Sequence, residues 1–376
     1  MIVKDVFKIS KGKKAVESKD CKLDRYIQIG DLRSDNNLKY AKPDKKNVIC
    51  DENDILIAWD GANAGTIGYN LKGIIGSTLA KLTPKVEEIY SPYVGRFLQS
   101  KFRFLRENCT GATIPHISRP SLENLKIPLP PLDQQKQIAS ILDTADSYRQ
   151  KTKALIKKYD TLTQSLFLDM FGDPVTNPKG WETKKLGSVC SVGSSKRVFV
   201  DELVEDGIPF YRGTEVGKLG EGKSIVPTLF ITSEHYERLK EHRGIPKQGD
   251  LLMPSICPDG RIWVVDNDKE FYFKDGRVLW VEVDSKKINS IYLRYHLKGS
   301  FFANYNNIAS GTTFAELKIV ALKKMNVFYP DMKLQNQFAE RVQAIEAQKA
   351  LAQQEIEKAD NLFNSLLQKA FKGELV

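Results

Sequence analysis

The chain has few of the residues that build disulfide frameworks and metal sites. Its 376 residues include only 5 cysteines and 4 histidines. The cysteines are odd in number and scattered, with no Cys-x-x-Cys pair, and the histidines form no His-Glu-x-x-His motif. Thiols in this pattern are typical of a reducing compartment and argue against a disulfide framework and a zinc site. We therefore expect free thiols, no bound metal and a cytoplasmic location.

Long apolar runs are also missing. No stretch approaches the ~18 apolar residues that cross a membrane, and the first residues, MIVKDVFKISKGKK, lack the apolar centre of a signal peptide. Hydrophobic residues make up 41% of the chain and charged residues 28%, which is ordinary for a globular protein. The length leaves room for two or three domains. We expect such domains and no membrane association.

Motifs for catalysis are absent or misplaced. There is no GxGxxG loop, no base-methylation motif of the Asn-Pro-Pro-aromatic or Asp-Pro-Pro-aromatic type, and no Ser/His/Asp or Cys/His spacing. Residues 217–224 (GKLGEGKS) do match the phosphate-loop pattern GxxxxGK[ST], but such a loop must open a helix, and this one runs into IVPTLFI. Asp173 with residues 182–184 resembles a nuclease cluster only loosely and straddles a linker. We interpret the first match as chance or as a glycine-rich basic loop near DNA, and the second as chance. We expect no active site and no cofactor.

What the chain does contain is a repeat with an offset of 200 residues. Gly111-Ala112-Thr113 returns as Gly311-Thr312-Thr313, and identical residues continue without a gap. These pairs are Leu122/Leu322, Pro130/Pro330, Gln135/Gln335, Gln137/Gln337, Ile156/Ile356, Lys158/Lys358, Asp160/Asp360, Leu162/Leu362, Ser165/Ser365, Leu166/Leu366 and Phe171/Phe371. The front parts match only with gaps, beginning at an offset of 183, and the second copy is longer between residues 213 and 250. The repeat indicates a duplicated module with a constant rear and a variable front.

The front of each copy is rich in short β-segments. In the first copy we predict strands at 25–29, 54–59, 66–69 and 79–82, separated by turn residues. One helix is predicted over 91–106, with Ser91 as its cap. Residues 127–132 (IPLPPL) are extended, because proline excludes a helix.

The rear of each copy is a long helix, predicted over 133–171 and about 333–372. Apolar side chains recur in steps of three and four. They are Ile138, Leu142, Ala145, Thr152, Ile156, Tyr159, Leu166 and Met170 in the first, and Phe338, Val342, Ile345, Ala352, Ile356, Ala359, Phe363, Leu366 and Ala370 in the second. Arg149 and Lys349 interrupt the two seams at the same place. We predict that the helices pair as an antiparallel coiled coil; alternatively, each covers only its own domain.

The charge favours nucleic acid as a partner. The chain has 57 Lys+Arg against 47 Asp+Glu, a net charge of +10, and a basic surface attracts polyanions. Lys13 and Lys14 correspond to Lys196 and Arg197 at the offset of 183. Recurrence at one structural place suits contacts with phosphates, although a solvated charge run would explain any single lysine.

Loops that follow matched strands differ between the copies, as specificity loops should. Residues 59–63 lie opposite 254–261; Asn63 suits adenine and Arg261 guanine, unless they are an ordinary turn asparagine and surface arginine. The glycine loops 110–116 and 310–314 allow close approach to a ligand, or are tight turns. The candidate DNA-contacting residues are Lys11, Lys13, Lys14, Arg33, Trp59, Asp60, Asn63, Thr66, Thr113, His116, Lys196, Arg197, Arg212, Thr214, Ser255, Arg261, Thr312 and Thr313.

These motifs, in this order and given twice, resemble the specificity subunits of type I restriction–modification systems. The resemblance rests on the start GWETKKLGSV, the strands in DENDILIAWDG and PKQGDLLMPSI, an SGTT-like loop, and IPLPPLDQQKQIASIL before a long helix. It covers essentially the whole chain. The second copy departs from the pattern, since YPDMKLQNQFAERV replaces the PPLDQQ stretch; its docking surface therefore differs in detail.

The resemblance implies an α+β fold with two target-recognition domains (1–130 and 173–329), a central helix region (131–172) and a C-terminal helix region (330–376). Each recognition domain, here called the first head and the second head, would read one half of a bipartite asymmetric site in double-stranded DNA. The subunit would be non-catalytic. Its helices would set the spacer and dock two adenine methyltransferase subunits, and motor-nuclease subunits would join that core. Methyl donor, magnesium and ATP would belong to the partners.

The helix length bounds the spacer, and three other interpretations stay open. About 39 residues at ~1.5 Å each span roughly 58 Å, or on the order of 17 base pairs between half-site centres at ~3.4 Å each. A recognition subunit of another restriction type, with a fused nuclease–methylase partner, would have a nearly identical sequence. A nucleotide-dependent enzyme would use residues 217–224. A coiled-coil scaffold would bind protein through its β-rich heads.

Overall fold

Two compact units make up the protein. The computed structural model describes residues 1–111, 113–256, 260–308 and 316–376, and side chains for all of these except 302–308. One unit comprises Met1–Ala154 with Gln354–Val376, and the other comprises Leu155–Gln353. Each unit thus combines one head with one stretch of each long helix. The four consecutive segments drawn from the sequence stay a prediction.

The first half of the chain forms two sheets and then a long helix. Its strands are β1 Phe7–Lys11, β2 Glu17–Ser18, β3 Asp24–Ile27, β4 Tyr40–Ala41, β5 Ile49–Cys50, β6 Ile55–Ala58, β7 Ile67–Tyr69, β8 Gly73–Ile75 and β9 Leu79–Pro84. Its helices are α1 Val3–Val6, α2 Ser91–Ser100, α3 Phe102–Glu107, α4 Arg119–Glu123 and α5 Leu132–Phe171, with a 3-10 turn at Ile29–Leu32. The strand orders are β1-β9-β6-β7 and β2-β4-β3-β8-β5, with β3 and β8 parallel.

The predicted helix over 91–106 is two helices, so the prediction of one continuous helix is wrong. Lys101 breaks it with φ −95° and ψ 9°. After the break, Phe102 and Leu105 pack against Gly65, where a Cβ would lie 3.5–3.6 Å from them. Ser91 is not the cap either: it is the first helical residue, buried, and its hydroxyl donates to the carbonyl of Asn53. Packing against the head decides both features.

The second half of the chain repeats this framework. Its strands are β10 Thr183–Lys185, β11 Ser191–Gly193, β12 Ile208–Tyr211, β13 Phe230–Ile231, β14 Leu251–Pro254, β15 Trp263–Val264, β16 Tyr272–Phe273, β17 Val278–Glu282 and β18 Asn326–Phe328. Its helices are α6 Leu186–Val189, α7 Gly213–Gly220, α8 Ser233–Arg243, α9 Ser290–Ile308, α10 Ile319–Lys324 and α11 Met332–Lys372, with a 3-10 turn at Val200–Glu202. Order β11-β17-β14-β15 repeats β1-β9-β6-β7, and β12 is parallel to β16 as β3 is to β8. The stretch 213–250, which is longer than its counterpart 30–54, contains α7, β13 and α8.

In the unit that contains the first head, the start of α5 packs against the end of α11. Ile138 and Leu142 share a core cluster with Leu366 and Phe371. Further along α5, the Arg149 Nε atom lies 2.6 Å from Asp360 Oδ1. Because residue numbers rise along α5 as they fall along α11, the helices are antiparallel.

The other unit contains the matching contacts. Phe167 of α5 meets Phe338 of α11 with ring centroids 5.6 Å apart, and Lys349 pairs with Asp160. These contacts confirm the predicted antiparallel pairing. They also explain the polar interruptions of the seams, because each cation meets an aspartate and the two ion pairs occupy equivalent places in the repeat.

The repeated glutamine attaches each head to its helix. Gln135 is buried; its Oε1 accepts from the Tyr90 amide (3.0 Å) and its Nε2 donates to the Pro130 carbonyl (2.9 Å). Gln335 is buried in the same way and donates to the Pro330 carbonyl at 2.8 Å. A buried amide costs free energy unless it is hydrogen-bonded. The repeat keeps this glutamine because both heads are attached to their long helices in the same way.

Candidate nucleic-acid interface

In the first head, the loop after β6 brings together candidate residues from distant parts of the sequence. Asp60 Oδ2 lies 2.8 Å from Lys11 Nζ, at the end of β1, and its Oδ1 lies 2.6 Å from His116 Nδ1. Burial acts to raise the pKa of Asp60, but the hydrogen bonds from Lys11 and His116 outweigh it and lower that pKa. Trp59 is half-buried, and its carbonyl accepts from Ile117. The acid thus holds two exposed basic side chains beside the loop.

A second cluster is built around Arg33. Its Nη2 atom donates to Asn63 Oδ1 (3.1 Å) and to Thr66 Oγ1 (2.9 Å). The hydroxyl of Thr66 is largely buried and donates to the Asn63 carbonyl at 2.9 Å. Since the side-chain oxygen of Asn63 is engaged, a paired contact with adenine would require this cluster to open.

Lys13 and Lys14 project from an anchored piece of backbone. On one side Gly12 donates to the Leu79 carbonyl, and a Cβ there would come within 2.2 Å of the Gly76 carbonyl oxygen. On the other side Ala15 is buried. Both lysines are exposed between these two fixed points. The arrangement presents two cations at a defined place, as phosphate contacts require.

The second head has the same arrangement at the equivalent place. The amide of Lys196 donates to the Tyr272 hydroxyl at 2.9 Å, and Val198 is buried. Lys196 and Arg197 are exposed between these anchors, and Arg197 Nε lies 3.0 Å from Asp275 Oδ2. The structure therefore places the recurring basic pair equivalently in both heads.

A cleft of about 680 Å³ lies beside this basic pair in the second head. Its apolar lining and basic rim consist of Val198, Val200, Leu203, Phe210, Leu229, Pro254 and Ile256, and of Arg212, Arg261, Lys274 and Arg277. Arg212 forms an ion pair with Glu215, in which Arg212 Nη2 lies 3.0 Å from Glu215 Oε1. Thr214 also lines the cleft. The rim provides the cations and donors that a DNA surface needs.

Ser255 does not belong to this surface, which corrects its selection as a DNA contact. It is 1% exposed, and its hydroxyl donates to the Gly276 carbonyl at 2.8 Å. Its amide donates to the Arg277 carbonyl. A buried serine that satisfies the backbone in this way has no surface to offer to DNA, and its role is to hold the neighbouring turn.

Thr312 and Thr313 lie outside the described residues. The counterpart of Thr313 in the first head, Thr113, is exposed. It follows Gly111, which has φ 93° and where a Cβ would come within 2.4 Å of the Ile114 carbonyl oxygen. Glycine is therefore required for the turn itself.

Sequence reasoning missed several exposed or half-buried residues beside the basic pairs. Lys274 and Arg277 line the cleft from the turn before β17. Phe199 and Val200 are 57% and 81% exposed just after Lys196 and Arg197, and Val16 is 77% exposed just after Lys13 and Lys14. The sequence did carry a signal for Val16, Phe199 and Val200, because in both copies apolar residues follow the recurring cations.

Residues 217–224 do not form a phosphate loop. The first four, including Gly217 and Gly220, lie inside α7, which ends where a phosphate-binding helix would begin. Lys223 pairs with Glu221. A Cβ at Gly220 would come within 2.9 Å of the backbone of Ile262. The glycines serve the close crossing of α7 over the start of β15, which accounts for the match.

Asp173, the residue of the loose nuclease-like match, is engaged by the turn that follows α5. Asp173 accepts the amides of Val175 and Thr176, and these hydrogen bonds lower its pKa. No described group of three or more His, Cys, Asp or Glu side chains could hold a metal ion. The described cysteines, Cys21, Cys50, Cys109 and Cys190, are free thiols. In the part of the chain that the structure describes, no helix is both long and apolar enough to cross a membrane.

Comparisons with known proteins point to one family. The family model of the type I restriction modification DNA specificity domain matches residues 1–158 and 178–361. The MjaVIII specificity subunit of Methanocaldococcus jannaschii is 30% identical over 389 residues, covering 96% of this chain and 90% of that protein. The EcoBI specificity subunit of Escherichia coli is 22% identical and covers 86% and 73%.

A solved structure has the same fold. The S subunit of a type I restriction–modification system from M. genitalium superposes with a TM-score of 0.58, at 16% identity, over 99% of this chain and 95% of that one. Both matched stretches of the family model begin at the front of a copy, which agrees with the duplicated heads. The chain belongs to the type I restriction–modification DNA specificity family.

Proposed function

We propose that each head reads one half of a bipartite, asymmetric DNA site on behalf of a methyltransferase and nuclease complex. Subunits of this family are non-catalytic, and the activity lies in partner subunits. The proposal rests on the recurring basic pairs, Lys13 with Lys14 and Lys196 with Arg197. Each pair lies beside loops that differ between the heads. Constant cations suit the uniform phosphate backbone, and variable loops suit two different base sequences.

The long helices set the distance between the half-sites in this proposal. The 40 residues of α5 and 41 of α11 correspond to helices of roughly 60 Å at ~1.5 Å per residue. Such a length fits half-site centres on the order of 17 base pairs apart or fewer. The unread gap is shorter, because each head covers several base pairs.

The methyltransferase subunits dock on the helices. Exposed apolar side chains of α5 stand seven residues apart in each unit: Ile141 and Tyr148 in one, and Leu155 and Leu162 in the other. Heptad spacing puts the two members of each pair on one face, which suits a helix of a partner. Leu155→Glu with Leu162→Glu should abolish copurification with the methyltransferase while the circular dichroism spectrum stays unchanged; Lys157→Glu, a charge change on the same exposed helix, serves as the control. Undiminished copurification would contradict this docking site.

Mapping methylated adenines across the genome, with and without this gene, tests the function. The result expected is one bipartite motif, methylated in both halves, that disappears with the gene. The gap read from that motif also tests the spacer length. Methylation that persists without the gene, or a methylated motif of one continuous block, would contradict the proposal.

A further inference from the structure

An arginine occupies the same place in both heads but comes from different parts of the sequence. In the first head it is Arg33, which follows the 3-10 turn after β3 and reaches Asn63 and Thr66 just before β7. In the second head it is Arg261, which lies just before β15 and lines the cleft. Strand register shows that the two positions coincide.

The facing hairpins align Thr66 with Arg261. Leu56 and Leu252 are equivalent in the repeat, and each pairs with a residue of the second strand of its hairpin. Thr66 and Arg261 both stand two residues before that pairing partner. Where the second head has its arginine, the first head therefore has the threonine that holds Arg33.

The position of Arg33 itself shows the reverse: there the second head has no arginine. The offset of 183 residues places Val216, buried inside α7, at the position of Arg33. Next to it, a Cβ at Gly217 would come within 3.2 Å of Arg261 Nη1. The first head supplies the arginine from the segment after β3, and the second head supplies it from the hairpin, where it faces Gly217.

We infer that this arginine reads guanine in each half-site, and that Asn63 and Thr66 position Arg33 for it. The inference rests on the proposed function, in which the heads contact DNA. A guanidinium has only donors, and the major-groove edge of guanine presents two acceptors, N7 and O6, without a donor. The prediction that Asn63 reads adenine is replaced, since its side-chain oxygen serves Arg33.

Two features favour a base over a phosphate as the partner of Arg33. The recurring cations at 13–14 and 196–197 keep their place, as contacts with a uniform backbone require, whereas this arginine changes its origin with the target. The Thr66 hydroxyl donates its hydrogen to the Asn63 carbonyl. The lone pairs of the hydroxyl oxygen are therefore directed to Arg33. A guanidinium fixed at Nη2 presents Nη1 and Nε in a defined direction, and a side chain that is already ordered discriminates better.

Competition binding tests the inference on the full chain in complex with its methyltransferase subunits. The duplexes change one base pair of the first half-site at a time. Arg33→Ala should reduce discrimination at one G·C pair by roughly 5- to 100-fold and leave the other positions unchanged. Replacing that guanine by 7-deazaguanine should weaken binding of the unmodified complex and leave the Arg33→Ala complex unaffected.

Two further variants separate positioning from a general loss of charge. Thr66→Val keeps the shape but removes the acceptor, so it should lower discrimination partially at the same base pair, whereas Thr66→Ser should retain it. Arg103→Ala is the matched control, because Arg103 is an arginine of the same head, 90% exposed and paired with Glu107. This control should change neither affinity nor preference.

Failure of the inference and failure of the proposed function would give different binding results. If Arg33→Ala weakens all duplexes by one factor and lowers the salt dependence by about one phosphate contact, Arg33 binds the backbone and the inference is wrong. If the unmodified complex prefers no duplex over random DNA, the proposed function itself fails. A Thr66→Val complex that loses discrimination at a different base pair would overturn the positioning role.

Discussion

In the first head the sheet order is β1-β9-β6-β7, and in the second head β11-β17-β14-β15 repeats it, yet one core position differs in chemistry. Phe97 and Pro128 of the first head correspond to His296 and Phe328 of the second. His296 is buried, and its Nε2 accepts the Phe328 amide at 3.1 Å. Proline has no amide hydrogen, so the first head needs no acceptor there. Donor and acceptor appear together or not at all, because a buried unpaired group is costly.

The largest expected effect comes from breaking that match. His296→Phe leaves the Phe328 amide without an acceptor and should cost the second unit about 1–3 kcal/mol. The reciprocal change, Phe97→His, buries an imidazole opposite Pro128 and should destabilise the first unit by a similar amount. Native-state hydrogen exchange, read separately on β14 with β17 and on β6 with β9, measures both. Unchanged protection in the affected unit would contradict the account.

Low pH should destabilise the second unit through His296, which has no counterpart in the first unit. Burial lowers the pKa of His296 from 6.5 to about 3, so the folded state favours the neutral ring. The contribution of His296 is therefore fully present above pH 6.5 and is lost as the pH falls toward 3. Amide protection in the second unit should decline over this range, and His296→Phe should remove that part of the decline. An identical pH profile for the variant would contradict the role of His296.

An intermediate effect should distinguish the charged surfaces of the heads. Residues 1–130 carry 22 Lys+Arg against 15 Asp+Glu, a net charge of +7, and residues 173–329 carry 23 against 20, a net charge of +3. Lys13→Ala with Lys14→Ala should weaken binding to all duplexes alike, by about tenfold at moderate salt, and should lower the salt slope by about 2. Salt titrations of DNA binding measure this. A change in site preference would show instead that these lysines read bases.

The equivalent double variant of the second head should behave differently. Arg197 already pairs with Asp275, so fewer free cations are lost when Lys196 and Arg197 are replaced by alanine. We expect the same uniform weakening with a smaller change in slope. Equal changes for both heads would show that the ion pair opens when DNA binds.

The smallest effect concerns the two ion pairs between the helices. The guanidinium of Arg149 lies 4.3 Å from the ring centre of Phe363 in addition to its pairing with Asp360, whereas Lys349 pairs with Asp160. Arg149→Ala should therefore cost roughly 1 kcal/mol more than Lys349→Ala, since an ion pair whose carboxylate is exposed contributes little by itself. Hydrogen exchange in the adjacent stretches of α5 and α11 measures the difference. Equal costs would leave the aromatic contact without an energetic role.

Elements with strong local signals were predictable from the sequence. The long helices begin and end within a residue or two of prediction, because Pro131 precedes α5 and Gly172 ends it. The antiparallel pairing of the long helices followed from the repeat, whereas the order of the strands in the sheets was not predicted. The break at Lys101 could not be predicted, since it depends on how Phe102 and Leu105 pack against Gly65.

The candidate site was predictable only in part, for a related reason. Recurrence pointed to the basic pairs, which the fold places equivalently. Contacts across the fold were invisible, so Ser255 looked exposed and Asn63 looked available, although one is buried and the other serves Arg33. Lys274 joins the rim of the cleft only because β16 lies beside β12. Side-chain direction in a loop depends on the strands that hold it.

The most direct test of two independently reading heads uses residues 1–172 alone with the methyltransferase subunits. Asp160 is equivalent to Asp360, so two copies of this fragment can pair through Arg149 of one copy and Asp160 of the other. We expect a dimer that methylates a palindromic site made of the first half-site and its inverted copy. A monomeric fragment, or methylation of the original asymmetric site, would contradict it.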